Sequence, residues 1–236
     1  MRYMEQILDI AGALGHRDHT HAAGLTEPIY QSYRIIYEIA VKVIDGTMGQ
    51  REAYDANLVR KTLLLVSQNG WGEKGIALDV HSPDNRALMR LLCICNATTA
   101  GGGETADLVW ETFYGEISDE TGDLLVEGLN VEGSAYRPAV QVTYSPSVCS
   151  AAIKASKGGG TDGQKKALAA VFRYLARVLT ITPADVEGLS GAVTVVERDI
   201  REKVMGVITS ESFQKNPDVL DEVDVPEIEI AAWTDL

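Results

Sequence analysis

Lys165-Lys166-Ala167-Leu168-Ala169-Ala170-Val171-Phe172-Arg173-Tyr174-Leu175-Ala176-Arg177-Val178-Leu179 is the stretch on which the fold class turns. Leu168, Val171, Phe172, Leu175 and Leu179 recur at steps of three and four, the spacing of one face of a helix. Arg173 and Arg177, four apart, share another face. So regular a segment makes the chain mainly α, a helical globular domain with a small β element in the middle and an extended C-terminal arm.

The same signals recur toward the N-terminus. Tyr3, Ile7, Ile10 and Leu14 make a short stripe that stops at Gly15. Thr26 caps a longer helix with Ile29, Tyr33, Ile36, Ala40 and Ile44 on its apolar face, ending at Gly46. A third helix carries Tyr54, Leu58, Leu65 and Val66, and its run Leu63–Val66 predicts a central, buried turn. Ile76, Leu78 and Val80 alternate as a short strand over 75–80. Ser82-Pro83-Asp84 then opens a helix with a cap, a proline at its first position and an acid at its positive end. Leu88, Leu91, Leu92 and Cys95 face inward there, and Gly101-Gly102-Gly103 breaks the run.

Beyond the glycines a helix over 105–114 precedes less helical sequence. Residues 123–131 and 139–144 read as two strands, giving a candidate β subdomain over 115–145. Ser145-Pro146 starts another helix through Ile153. Thr182-Pro183-Ala184-Asp185 repeats the cap-proline signal, and Val193, Val196, Ile200 and Val204 then predict a last amphipathic helix. On its outer side Glu197 and Arg201, Arg198 and Glu202, and Asp199 and Lys203 are spaced for ion pairs. The domain division expected is therefore a helical body over 1–210 and an acidic arm over 211–236.

Charge is segregated. The chain carries −13, yet residues 104–132 hold nine acids and no cation, and residues 211–236 hold eight acids against Lys215 alone. Between Lys154 and Arg177 six cations accompany only Asp162. Such blocks point to acidic segments meeting basic ones, within a chain or between copies. With 45% hydrophobic and 23% charged residues the composition is that of an ordinary folded protein. No apolar run approaches the roughly 18 residues of a membrane span, so no membrane partner is implied. Cys93, Cys95 and Cys149 form no disulfide framework, which favours free thiols and a cytoplasmic setting.

Three motifs bear on chemistry. His16, Asp18, His19 and His21 offer imidazoles and a carboxylate of the kind that bind zinc, but in a loop that lacks the His-Glu-x-x-His spacing. Gly70-Trp71-Gly72-Glu73-Lys74-Gly75 matches a dinucleotide-binding pattern in the wrong order, with a helix before it and a strand after. Lys157-Gly158-Gly159-Gly160 leads into a helix whose start, with Lys154, Lys157, Lys165, Lys166, Arg173 and Arg177, suits phosphate or another anion, nucleic acid included. Gln164 stands where a phosphate-binding loop needs lysine. No nucleophile, base and orienting group stand together, and no cofactor is implied.

The arm combines acids with Val225, Ile228, Ile230 and Trp233, apolar anchors that a solvated tail does not need. Pro226 restricts it to an edge strand or a docked segment. These features together lead to a self-assembling structural subunit, of a viral or phage coat or nucleocapsid type, partnered by identical copies through the arm and placed in a virion. The alternatives are a metal-dependent enzyme built on the 16–21 histidines and an acidic regulatory binding module.

Overall fold

The computed structural model describes residues 27–68, 78–98, 102–134, 136–187, 189 and 193–230. Among them the protein is mainly helical, with a three-stranded mixed sheet. The chain divides into two compact units, Met1–Ala77 with Thr98–Gly103, and Leu78–Ala97 with Glu104–Leu236. The segment after residue 210, expected as an arm, lies within the second unit.

In the first unit α1 (Glu27–Ile44) and α2 (Gln50–Gln68) form a helical hairpin. Gly46, at a φ of +75°, makes the turn, and Thr47 donates from both N and Oγ1 to Asp45 Oδ1, at 2.9 and 2.6 Å. Ile39 on α1 and Ala53, Leu58 and Leu65 on α2 are buried, and Thr62 Oγ1 donates to Leu58 O within its own helix. Leu63, expected inside, is exposed because burial follows one face through Leu58 and Leu65 rather than the whole turn.

The second unit contains α3 (Pro83–Ile94), α4 (Gly103–Gly115, its first residue in the first unit), α5 (Asp119–Leu129) and α6 (Ser145–Ala155). A 3-10 turn, Lys157–Gly159, leads into α7 (Gly160–Leu179). Residues Ala167–Phe172 of α7 are all buried, so this helix is enclosed on every side by α5, α6, β1 and the C-terminal segment. Its contact with α5 is close. A Cβ added at Gly128 would lie 2.6 Å from Leu179 Cβ, and glycine is what permits the approach.

Residues 123–131 do not form a strand; they lie mostly in α5. Ser118 Oγ accepts from Thr121 N to cap the helix, and Thr121, Leu125 and Leu129 form a buried stripe at four-residue spacing. The sheet instead pairs β1 (Ala139–Thr143) parallel with β2 (Val195–Asp199), and β2 antiparallel with the two-residue β3 (Glu229–Ile230). The long helix expected over 193–204 is thus a strand followed by α9 (Arg201–Ile208), after the short α8 (Pro183–Val186). Val196 and Arg198 point inward with the period of a strand, and the expected surface ion pairs at 197–203 do not form. Of the strand expected over 75–80, Leu78–Val80 is loop and turn, and the rest lies outside the described residues.

After α9 come α10 (Glu211–Lys215) and a second 3-10 segment, Pro217–Glu222, before β3. Phe213 and Leu220 are fully buried, which fastens this acidic stretch to the body.

Candidate functional site

The basic island expected to hold anions is divided by the fold. Arg173 and Arg177 project from α7 toward the acidic C-terminal segment, which runs across them as a strap. Arg173 Nε donates to both oxygens of Asp221 at 3.0 Å, and its Nη2 donates to Asp218 Oδ1 at 2.6 Å. Arg177 donates to the carbonyl oxygens of Leu220 at 3.0 Å and Val223 at 3.2 Å, with its guanidinium 5.2 Å from the centre of the Tyr174 ring. Tyr174 OH donates to Asp224 O at 3.0 Å. Burial pushes the Tyr174 phenol up to about 12 against the pull of Arg177 and Arg198, with Asp224 adding to the rise. These side chains thus hold the strap on its own chain.

The lysines are elsewhere. Lys165 sits among Glu111, Glu116 and Asp162 at 3.4–3.7 Å, so part of the acidic 104–132 block meets the basic island. Lys166 is exposed. Lys154 and Lys157 line an open cleft of about 690 Å³ whose other side is the acidic face of α4, with Glu104, Asp107 and Glu111. At the glycine-rich start of α7, Asp162 occupies the first turn and so supplies the negative charge that this helix end favours. A smaller cleft of about 380 Å³ beside Gly158 and Gly159 is lined by Glu211 as well as Lys215. Neither arrangement is the uniformly positive groove that a polyanion requires.

The histidine cluster, His16, Asp18, His19 and His21, lies outside the described residues. Among the described residues no group of three His, Cys, Asp or Glu side chains is placed to hold a metal ion, and no helix is long and apolar enough to cross a membrane. Cys93, Cys95 and Cys149 are not joined in disulfides. Cys95 and Cys149 are buried, and a hydrogen bond that the Cys95 thiol donates to Cys149, together with burial, raises the Cys95 thiol well above its ordinary value. A thiol so held is protonated and poorly nucleophilic.

Of the arm residues, Val225 and Ile228 are half-buried, Ile230 is exposed, and Trp233 lies outside the described residues. Pro226 is buried beside them.

One surface escaped the sequence reading. On α1, Ile36, Tyr37, Val41 and Ile44 are 43%, 46%, 40% and 85% exposed. Tyr37, Val41 and Ile44 follow at steps of four and three, so they share a face, and Ile39, two residues from both Tyr37 and Val41, lies roughly 200° around the helix from each. The helix is therefore apolar on two sides, with Ile39 buried on one and Ile36, Val41 and Ile44 exposed on the other. The stripe of Ile36, Ala40 and Ile44 was visible in sequence; that Ile36 and Ile44 stay exposed depends on which face α2 covers.

Residues 1–220 match a family of unknown function, DUF6829. The chain belongs to that family. No curated protein and no solved structure matches this DUF6829 chain.

Proposed function

We propose that this protein is a self-associating structural subunit, with identical copies as its partners. The observation that carries the reading is the exposure of Ile36, Val41 and Ile44 on α1. A helix with apolar residues on opposite sides is characteristic of one enclosed by protein, and large exposed apolar patches mark interaction surfaces. The charge pattern supports the same reading by subtraction: Arg173 and Arg177 are committed to the strap, so copies of the chain are favoured over nucleic acid as partners.

A single twofold surface closes at a dimer. Growth into a coat or shell needs a second surface, and the C-terminal segment is the candidate for it. β3 stands at the edge of the sheet with Ile230 exposed, in a position to add a strand from another copy.

Light scattering coupled to size exclusion, on the full chain and on a 1–228 truncation that removes β3 but keeps the buried Leu220 anchor, tests the proposal. Association by the full chain is expected, with loss of the higher species and retention of dimer on truncation. A full chain that remains monomeric across protein concentration and salt contradicts it.

A further inference from the structure

We propose that the cleft between α4 and the junction of α6 with α7 binds a small linear zwitterion, an amino carboxylate with an alkyl spacer between its charges. The reading goes beyond self-association and does not depend on it.

The two walls of this cleft carry opposite charges that do not meet. On one side stand Glu104, Asp107 and Glu111, whose steps of three and four place them on one face of α4. On the other stand Lys154, in the last turn of α6, and Lys157, in the 3-10 turn that follows. Glu111 engages Lys165 at 3.6 Å. Among the described residues Glu104, Lys154 and Lys157 have no ion-pair partner, although all three line the same cleft. Opposite charges are thus held apart across a space of about 690 Å³, the size of a small-molecule site. All the lining residues belong to the second unit.

The lining narrows the occupant. A phosphate drawn to the lysines would face three carboxylates, and a polyamine drawn to the carboxylates would face two ammonium groups. A molecule with one charge of each sign is attracted by both walls. Leu108 and Cys95, both buried, and the half-buried Ile153 give the cleft an apolar floor, which suits methylene groups. Gln164 Nε2 donates to Ile153 O at 3.4 Å and so ties the start of α7 to the helix that carries Lys154.

Titration of the isotope-labelled full chain with glycine, γ-aminobutyrate and ε-aminocaproate, followed through amide chemical shifts, tests this. Hexanoate and hexylamine, each carrying one of the two charges, are the controls. At least one amino carboxylate should give saturable shifts confined to residues around the cleft, with a dissociation constant of about a millimolar. Each control should bind about threefold or more weakly than that ligand. Glu104→Gln, and Lys154→Gln combined with Lys157→Gln, alter exposed side chains and should keep the wild-type spectrum elsewhere. Each should weaken the amino carboxylate by about threefold or more, while the control lacking the corresponding charge binds no more weakly than before. No saturable shift with any of the three amino carboxylates overturns the proposal. A control that binds as tightly, or variants that bind as wild type does, overturn it as well, and none of these outcomes depends on whether the chain self-associates.

Discussion

Arg198, only 3% exposed, donates through Nη2 to Asp185 Oδ1 at 2.9 Å, joining the inner side of β2 to α8. Its Nη1 also donates to the carbonyl oxygens of Val178 and Thr180, the latter at 2.9 Å. A single guanidinium thus serves the unsatisfied C-terminal end of α7 while neutralised by one carboxylate. Removing one partner of a buried pair leaves the other group without compensation. Arg198→Ala should cost about 3–5 kcal/mol, read as a lower urea midpoint. A midpoint equal to wild type would show that water replaces the guanidinium without penalty.

Asp185 gives this contact a pH signature. Burial acts to raise its carboxyl, but hydrogen bonds from Thr182 N and Oγ1, both 2.7 Å, and the Arg198 charge outweigh burial and lower it. A carboxyl whose folded pKa is depressed adds stability above its unfolded value of about 3.9 and loses it as pH falls through the folded pKa. Asp185→Asn should therefore be less stable than wild type at pH 6, with the difference shrinking below pH about 4. Chemical denaturation at the two pH values checks this, and a gap that widened in acid would contradict the assignment.

Tyr174 should mark the alkaline limit of strap docking. Its folded pKa, raised to about 12, exceeds the unfolded value near 10, so its contribution is intact below pH about 10 and lost as pH rises toward 12. Ultraviolet titration should show one tyrosine ionising well after the exposed ones, and Tyr174→Phe should remove that late step. Loss of its hydrogen bond should lower stability by about 1 kcal/mol.

Arg177 is the strap's main polar anchor, because it holds two backbone carbonyls rather than exposed carboxylates. Arg177→Ala should increase hydrogen exchange across residues 217–230 by about tenfold, corresponding to loss of one to two charge-assisted hydrogen bonds, while α3 and α5 keep their protection. High salt should loosen the Arg173 pairs with Asp218 and Asp221 by a smaller amount, since both acids are largely exposed.

Much of the helical framework was legible because its signals are local. Ser82-Pro83 and Ser145-Pro146 mark real helix starts, and the stripe from Leu168 to Leu179 marks the central helix. Local reading failed where identity depends on a distant partner. Val195 to Asp199 is compatible with helix or strand, and becomes a strand by pairing with β1 more than fifty residues earlier in the chain. Arg198 resembled one member of a solvated charge series because its burial needs carbonyls from α7 and the carboxylate of Asp185. The apolar run of residues 123–131 is short enough to suit a strand, whereas the Ser118 cap and the Thr121, Leu125, Leu129 spacing carry the helical signal. The segregated charges did indicate that acidic and basic segments meet, and the Arg173 contacts with Asp218 and Asp221 realise that meeting within the chain. The exposure of Ile36, Val41 and Ile44 was not legible, since sequence shows an apolar face without showing which part of it α2 covers.

Ile44 provides the most direct measurement. At 85% exposure it contributes little packing within the chain, so Ile44→Glu should leave the urea midpoint within about 0.5 kcal/mol of wild type. The same substitution places a charge in the proposed apolar contact at two symmetric positions. Sedimentation velocity over a concentration series should show dimer for wild type and monomer for Ile44→Glu, with matching unfolding curves. Equal association by the two proteins, or monomers in both, would contradict the account.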